Sequence, residues 1–174
     1  LLCTVGISLA MLGAILLYQA QVTAGVALEQ PLSLVALSQP GVLLDAPLSR
    51  LAFAFLLIGY ATKAGLAPMH TWLPDAHSQA PAPVSGLLSG ALLSCAFYVL
   101  LRHIAILRPS LPPGLPETAL LALGILSLAV AVPFLLLQHD LKRLLAYSSV
   151  EHMGILAIGA GVGTPAALFA CLLH

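Results

Sequence analysis

Charge is scarce in this sequence. Of 174 residues, six are Lys or Arg and six are Asp or Glu, together 7%, whereas soluble domains carry roughly a quarter. That shortage excludes an ordinary water-facing surface. No block of like charge exists that could follow a phosphate backbone, which argues against nucleic-acid binding. Cysteine is rare as well: Cys3, Cys95 and Cys171 lie far apart in apolar sequence, with no C-x-x-C pair to ligate zinc or an iron–sulfur cluster. They read as small packing residues. What abounds is apolar: 60% of the residues are hydrophobic and the mean hydropathy is +1.07, the composition of a membrane chain. Leu1 falls inside one apolar run and His174 ends another, without an initiating Met or a basic stretch ahead of a cleavage site. The chain is therefore expected to be a piece of a longer protein.

A helix crossing ~30 Å of hydrocarbon at 1.5 Å per residue needs about 20 apolar residues. By that ruler the expected spans are 1–20, 50–69 (interrupted and continuing to about 80), 84–101, 117–137, 144–162 and 165–174, the last truncated. The expected fold is an all-α, polytopic transmembrane helix bundle with one discontinuous helix, residues 1–174 forming part of one transmembrane domain. Between the first two spans the apolar sequence is broken by Pro31, Pro40 and Pro47, which suits a loop with one short helix along the interface. The segment PSLPPGLP, residues 109–116, is expected to be an extended, polyproline-like turn outside the bilayer. Arg102 and Arg108 nearly balance Lys142 and Arg143 on the other side, so positive charge sets no orientation.

The stretch ATKAGLAPMHTWLPDAH, residues 61–77, follows a run with nothing charged. Lys63 lies thirteen residues past Arg50, about 20 Å along a helix, too deep to snorkel. An unpaired ion there costs at least ~2.5–3.5 kcal/mol, so such residues face protein or water and are usually functional; the bland alternative is a structural ion pair. Pro68 has no N–H and frees the carbonyl of Ala64, and Gly65 permits non-helical backbone beside Lys63. A break at membrane depth is tolerated where it is buried or lines a wet cavity. An amine there, its proton affinity set by burial and neighbouring charge, suits proton relay. Trp72 is expected at an interface, and Pro74 frees the carbonyl of His70. His70, Asp75 and His77 extend the polar side, with the two histidines seven residues apart and hence on one helical face. These three have metal-ligand chemistry, but Pro74 makes their spacing undependable and no metal site is expected.

A second ionisable cluster is QHDLKRLLAYSSVEHMG, where Lys142 and Arg143 open a span and Glu151 and His152 lie two to three turns inside it. Glu151 is expected to be buried. Eleven residues separate Asp140 from Glu151, placing both on one stripe near Tyr147, Ser148 and His152, a candidate proton path. The alternative is that Glu151 pairs with a lysine or arginine on a neighbouring helix and has no transport role. His174, alone at the end of ALFACLLH, is more simply a hydrogen-bonded core residue.

KAGLAPMHTWLPDAHSQAPAPVSGLL closely resembles the signature of the antiporter-like, proton-conducting membrane subunits of complex I and its relatives, and HDLKRLLAYSSVEHMG resembles their second signature. LAPMHTWLPDAHS and SSVEHMG look most like the subunit of group 4 membrane-bound hydrogenases and formate hydrogenlyases. The resemblance implies a chain of about fourteen helices with two inverted five-helix repeats, each with a broken helix bearing a proton-transferring residue. By position Lys63 matches the broken-helix lysine, Lys142 the connecting lysine near the centre, and His174 the first histidine of the following helix. A partner glutamate for Lys63 is implied before Leu1. The chain departs from many complex I members in having Ser89 where they have a histidine, and Glu151 where they tend to have glutamine. Ser89 can bind a bridging water but carries no charge.

The function expected is thus a non-redox, proton-translocating membrane subunit of a redox-driven complex, hydrogenase-4, formate hydrogenlyase or NADH-quinone oxidoreductase-like. Its proton-transfer residues would be Lys63, Lys142, His174 and Glu151, supported by His70, Asp75, His77, Ser89 and His152, with Gly65, Pro68 and Pro74 breaking the helix. No cofactor is expected on this chain. The expected partners are lipid, other membrane subunits and a peripheral redox arm, and the expected location is a prokaryotic plasma membrane. The alternatives are a multisubunit sodium/proton antiporter subunit and a non-conducting membrane scaffold.

Overall fold

The computed structural model describes residues 1–25, 33–39 and 42–173; His174, Pro31 and Pro40 lie outside them. Nine α-helices are described: α1 (Leu2–Thr23), α2 (Leu34–Leu37), α3 (Ala46–Ala64), α4 (Trp72–Gln79), α5 (Ala82–Leu87), α6 (Leu93–Leu107), α7 (Leu115–Leu137), α8 (Leu141–Val162) and α9 (Pro165–Leu173), with no strand among the described residues. Four helical stretches, Leu2–Thr23, Ala46–Gln79, Ala82–Ser110 and Leu115–Leu137, are long and apolar enough to cross a membrane. α8 has the length, 22 residues, but carries Lys142, Arg143 and Glu151.

Close-packed small residues build two helix pairs. Along α1 and α3, a Cβ on Gly59 would sit 2.6 Å from the Ala10 nitrogen, and one on Gly13 2.9 Å from the Leu56 nitrogen. Along α7 and α8, a Cβ on Gly124 would lie 2.8 Å from the Gly154 oxygen and one on Gly161 2.9 Å from the Leu121 nitrogen. Without the hydrophobic effect to drive helices together in lipid, such backbone approach supplies the packing. α3 then packs on α6, and α4 on α8, joining the pairs. The core where they meet holds Leu66, Leu73, Leu93, Phe97, Leu100 and Val150. Large apolar side chains remain on the outside, Leu136 at 82% and Leu172 at 85% exposure among them, which suits contact with lipid or with further membrane helices.

α2 is capped by Ser33 and is the one short helix among the described residues of the first connection. Leu44 N–H donates to Ser110 Oγ at 2.9 Å, tying this loop to the turn before α7. That turn differs from the extended segment expected: Arg108–Ser110 form a 3₁₀ turn with Pro109 at its start, where a missing N–H is no loss. α6 also runs beyond the expected stop at Leu101, because His103 is buried and turns its Nδ1–H back onto the Val99 carbonyl at 2.8 Å. Asp45 caps α3 through Leu48 N–H at 3.3 Å, and Asp140 caps α8 through Lys142 N–H at 3.0 Å.

Between α5 and α6 the helix widens into a π-turn at Leu88–Leu92. Between α3 and α4 it is interrupted: Gly65 adopts φ 75°, the left-handed region glycine favours, and a 3₁₀ turn at Met69–Thr71 leads into α4. Pro74 does not break the chain as expected. It sits in the first turn of α4, where helix N–H groups have no partner within the helix and proline is tolerated.

Candidate functional site

The interruption after α3 frees backbone groups that lipid cannot satisfy, and three contacts take them up. Leu66 N–H donates to Ala61 O at 2.9 Å, Trp72 Nε1–H donates to Thr62 O at 2.7 Å, and Ala67 N–H donates to Ser127 Oγ of α7 at 2.9 Å. Ser127 is fully buried and donates its own O–H to Leu123 O in a hydrogen bond of 2.7 Å. Trp72 is half-buried and turns its indole N–H onto Thr62 O, which also accepts from Gly65 N–H at 3.3 Å. The expectation for Ser127 was none at all, yet it is the sole polar side chain from Ala119 to Leu137, and that isolation was the available signal.

Lys63 is half-buried in the last turn of α3, its Nζ 6.0 Å from the centre of the Trp72 ring, the outer limit for a cation–π contact. Among the described residues it makes no hydrogen bond or ion pair. Its side chain lines a cavity of about 480 Å³ together with Tyr60, Leu88, Ala91, Leu92 and Cys95, an almost wholly apolar space between α3 and the π-turn. Tyr60 in turn stacks against His103, ring centres 5.4 Å apart.

On the other side of the π-turn, a second cavity of about 430 Å³ is lined by His77, Ser85, Ser89, Lys142, Ser148, Ser149 and His152, among others. This vestibule, its wall mainly apolar in area, gathers four of the residues expected to carry or support transfer. Lys142 stands at its mouth, exposed in the first turn of α8, its Nζ 3.1 Å from Ala80 O. Asp140 caps α8 one residue before Leu141, so Lys142 falls in its first turn. Asp140 itself caps α8 from outside and shares no helical stripe with Glu151. Glu151 is half-buried, not buried, lines none of the cavities described and makes no ion pair among the described residues.

His70 lies in the 3₁₀ turn and His77 in α4, so their seven-residue spacing is not carried by one continuous helix. Both are buried, at 7% and 5% exposure, and His70 Nδ1 and His77 Nε2 have no hydrogen-bond partner among the described residues. His70 lies 6.4 Å from the Tyr147 ring. Asp75 pairs with Arg143 at 3.1 Å, both largely exposed, a surface pair that contributes roughly 0–1 kcal/mol. Among the described residues no three His, Cys, Asp or Glu side chains are close enough to hold a metal ion. The position of His174 lies outside the described residues.

A third space of about 600 Å³ adjoins α9, lined by Ser89, Ser94, Phe97, Ser149, His152 and Cys171, among others. Ser89 Oγ and Ser149 Oγ are 2.8 Å apart, joining the π-turn to α8.

Residues 1–174 match the family model described as NADH:quinone oxidoreductase/Mrp antiporter, TM. The chain is 44% identical over 172 residues to a hydrogenase-4 component F homolog from Methylacidiphilum infernorum (isolate V4), covering 98% of this chain and 36% of that protein. It is 41% identical over 128 residues to NAD(P)H-quinone oxidoreductase chain 4 of Synechococcus sp. (strain CC9605), 71% of this chain and 24% of that protein. Its structure resembles a chain of respiratory complex I from Thermus thermophilus with TM-score 0.70 at 33% identity, covering 92% of this chain and 32% of that one. It shares its fold with a chain of an archaeal membrane-bound sulfane sulfur reductase, TM-score 0.72 at 24% identity, covering 98% and 34%. The chain thus spans 36% or less of the length of each of these relatives.

Proposed function

Since the chain belongs to the NADH:quinone oxidoreductase/Mrp antiporter transmembrane family, we propose that it is the proton-conducting part of a membrane subunit in a redox-driven complex of the hydrogenase or NADH-quinone oxidoreductase kind, in a prokaryotic plasma membrane. The observation that carries this reading is Lys63. Its side chain lines a cavity beside a helix interruption, and no carboxylate pairs with its amine among the described residues. An ammonium so placed is costly to leave unpaired, and a charge brought near it or withdrawn changes its hold on the proton.

In this reading Lys63 takes a proton on Nζ and gives it to water that reaches the helix interruption. The backbone around it does not change hands: the freed groups already have partners in Trp72, Ser127 and Ala61. The vestibule at Lys142, His77 and His152 gives the proton a hydrated space on the other side of the π-turn. Electron transfer takes place on other subunits, so this chain contributes position and proton affinity, not redox chemistry.

The test uses the full-length protein in its assembled complex, in inverted membrane vesicles, with electron donor added and proton uptake followed by quenching of a ΔpH dye. Lys63→Ala should leave the amount of assembled complex unchanged and abolish the quench. An undiminished quench overturns the proposal and favours a scaffold. Sodium-dependent proton exchange without any electron donor would instead place the chain among the sodium/proton antiporter subunits.

A further inference from the structure

The vestibule at Lys142 and the larger cavity against α9 share three lining residues, Ser89, Ser149 and His152, and all three are polar. Elsewhere the larger cavity is mostly apolar, with Leu93, Phe97, Leu101, Met153 and Leu156 in its wall. The only hydroxyl pair bridging two helical elements among the described residues lies at this boundary, Ser89 Oγ and Ser149 Oγ at 2.8 Å. Ser149 Oγ is also 3.1 Å from Leu145 O. It therefore has two acceptors for one proton, the carbonyl of its own helix and the serine opposite. A hydroxyl both donates and accepts, and one with two acceptors can reverse the direction of its bond without moving its oxygen.

The π-turn explains why Ser89 meets α8. Its wider winding turns Ser89 toward Ser149, while Leu88, Ala91 and Leu92 of the same turn line the Lys63 cavity. π-turns of this kind are often found at functional sites. Here one turn forms a wall of both compartments.

We infer that the Ser89–Ser149 pair, with His152 beside it, is the junction through which a proton passes between the Lys142 vestibule and the cavity against α9. The inference rests on the proton-conducting reading above. In the step, one serine oxygen accepts a proton from vestibule water and its own hydroxyl proton leaves to the other serine, which releases one to water in the cavity beyond. One O–H bond forms as each breaks, both hydroxyls are regenerated and nothing is oxidised. Afterwards Ser149 swings its O–H between Leu145 O and Ser89 to reset the direction.

The experiment measures redox-driven proton uptake by inverted vesicles carrying the full complex with Ser89→Val, Ser149→Val, Ser149→Ala and Ser149→Thr. Valine removes the hydroxyl and fills its space, so each Val variant should lose pumping about a hundredfold or more, the lower end of what a positioned proton-transfer group supplies. Threonine keeps the hydroxyl and should restore it. Alanine leaves room for a water and should fall between. A pair that only tethers two helices would instead give equal losses for Ala and Val, and that result overturns the junction. So would wild-type pumping by both Val variants in assembled complex. If Lys63→Ala abolishes pumping in the same vesicles while the Val variants pump normally, the junction alone fails; if Lys63→Ala also pumps normally, the proton-conducting reading fails with it. Should the Val variants not assemble, Ser149→Cys decides: a small charged thiol reagent should label the introduced thiol above the background of the parent chain, and absence of labelling overturns a hydrated junction.

Discussion

Lys63 and Ser127 carry opposite kinds of importance, and their variants should separate them. Lys63→Arg preserves charge, but guanidinium does not release its proton near neutral pH. The expected outcome is assembled complex with dye quenching as poor as in Lys63→Ala; wild-type quenching would count against an exchanging amine. Ser127→Ala removes the acceptor for Ala67 N–H and leaves a buried donor without a partner, costing about 1–3 kcal/mol. It should lower the thermal unfolding midpoint of the purified protein, with Ser127→Thr falling less. Trp72→Phe keeps the ring near Lys63 and removes the indole N–H from Thr62 O, which retains its bond from Gly65 N–H; it should destabilise by less than Ser127→Ala and lower pumping only as far as it lowers assembly. At this scale the sequence was readable where chemistry contrasts with surroundings. A lysine in an apolar run stands out. A serine in α7 barely perturbs hydropathy, and its partner is sixty residues away.

Elements were legible in proportion to how local their causes are. Gly65 and Pro68 sit together at the point where α3 stops, and both signals are backbone chemistry that needs no partner. Pro74 carries the same signal with another meaning, because its position in the first turn of α4 is known only once the start of that helix is. The π-turn was not legible: LLSGALLSC is apolar on nearly every side, so neither a period of 3.6 nor a wider one leaves a trace. The Ser89–Ser149 contact depends on that turn and was out of reach for the same reason. The helix pairs give a direct test. A methyl on Gly59 would press on the Ala10 backbone at 2.6 Å, where nothing flexible can yield. Gly59→Ala should therefore force α1 from α3 and destabilise by about 1–3 kcal/mol, the usual cost of overpacking. A melting temperature at or above wild type would show that the pair has room to spare.

For the whole molecule, composition fixed the class before any element was placed, because an apolar exterior and a near absence of charge leave few other solutions. Where a helix starts was less readable: Asp140 caps α8 just ahead of Leu141, which places Lys142 in the first turn, lining the vestibule. The charges that do pair lie near helix ends, Arg108 with Glu117 at 2.7 Å and Arg143 with Asp75 at 3.1 Å. Both pairs include a largely exposed partner, so Asp75→Asn should change stability by no more than about 1 kcal/mol, read as a small shift in the unfolding midpoint.

The backbone around the interruption is fastened by Ser127, Trp72 and Ala61, and none of these fasteners is the amine of Lys63. Its four-carbon stem is an arm on a fixed mount, able to reorient without loosening anything that holds the fold. Heat would not notice its removal. A library of variants sorted by thermostability would pass an inert protein at this position as readily as a working one, so only a flux assay can tell the two apart.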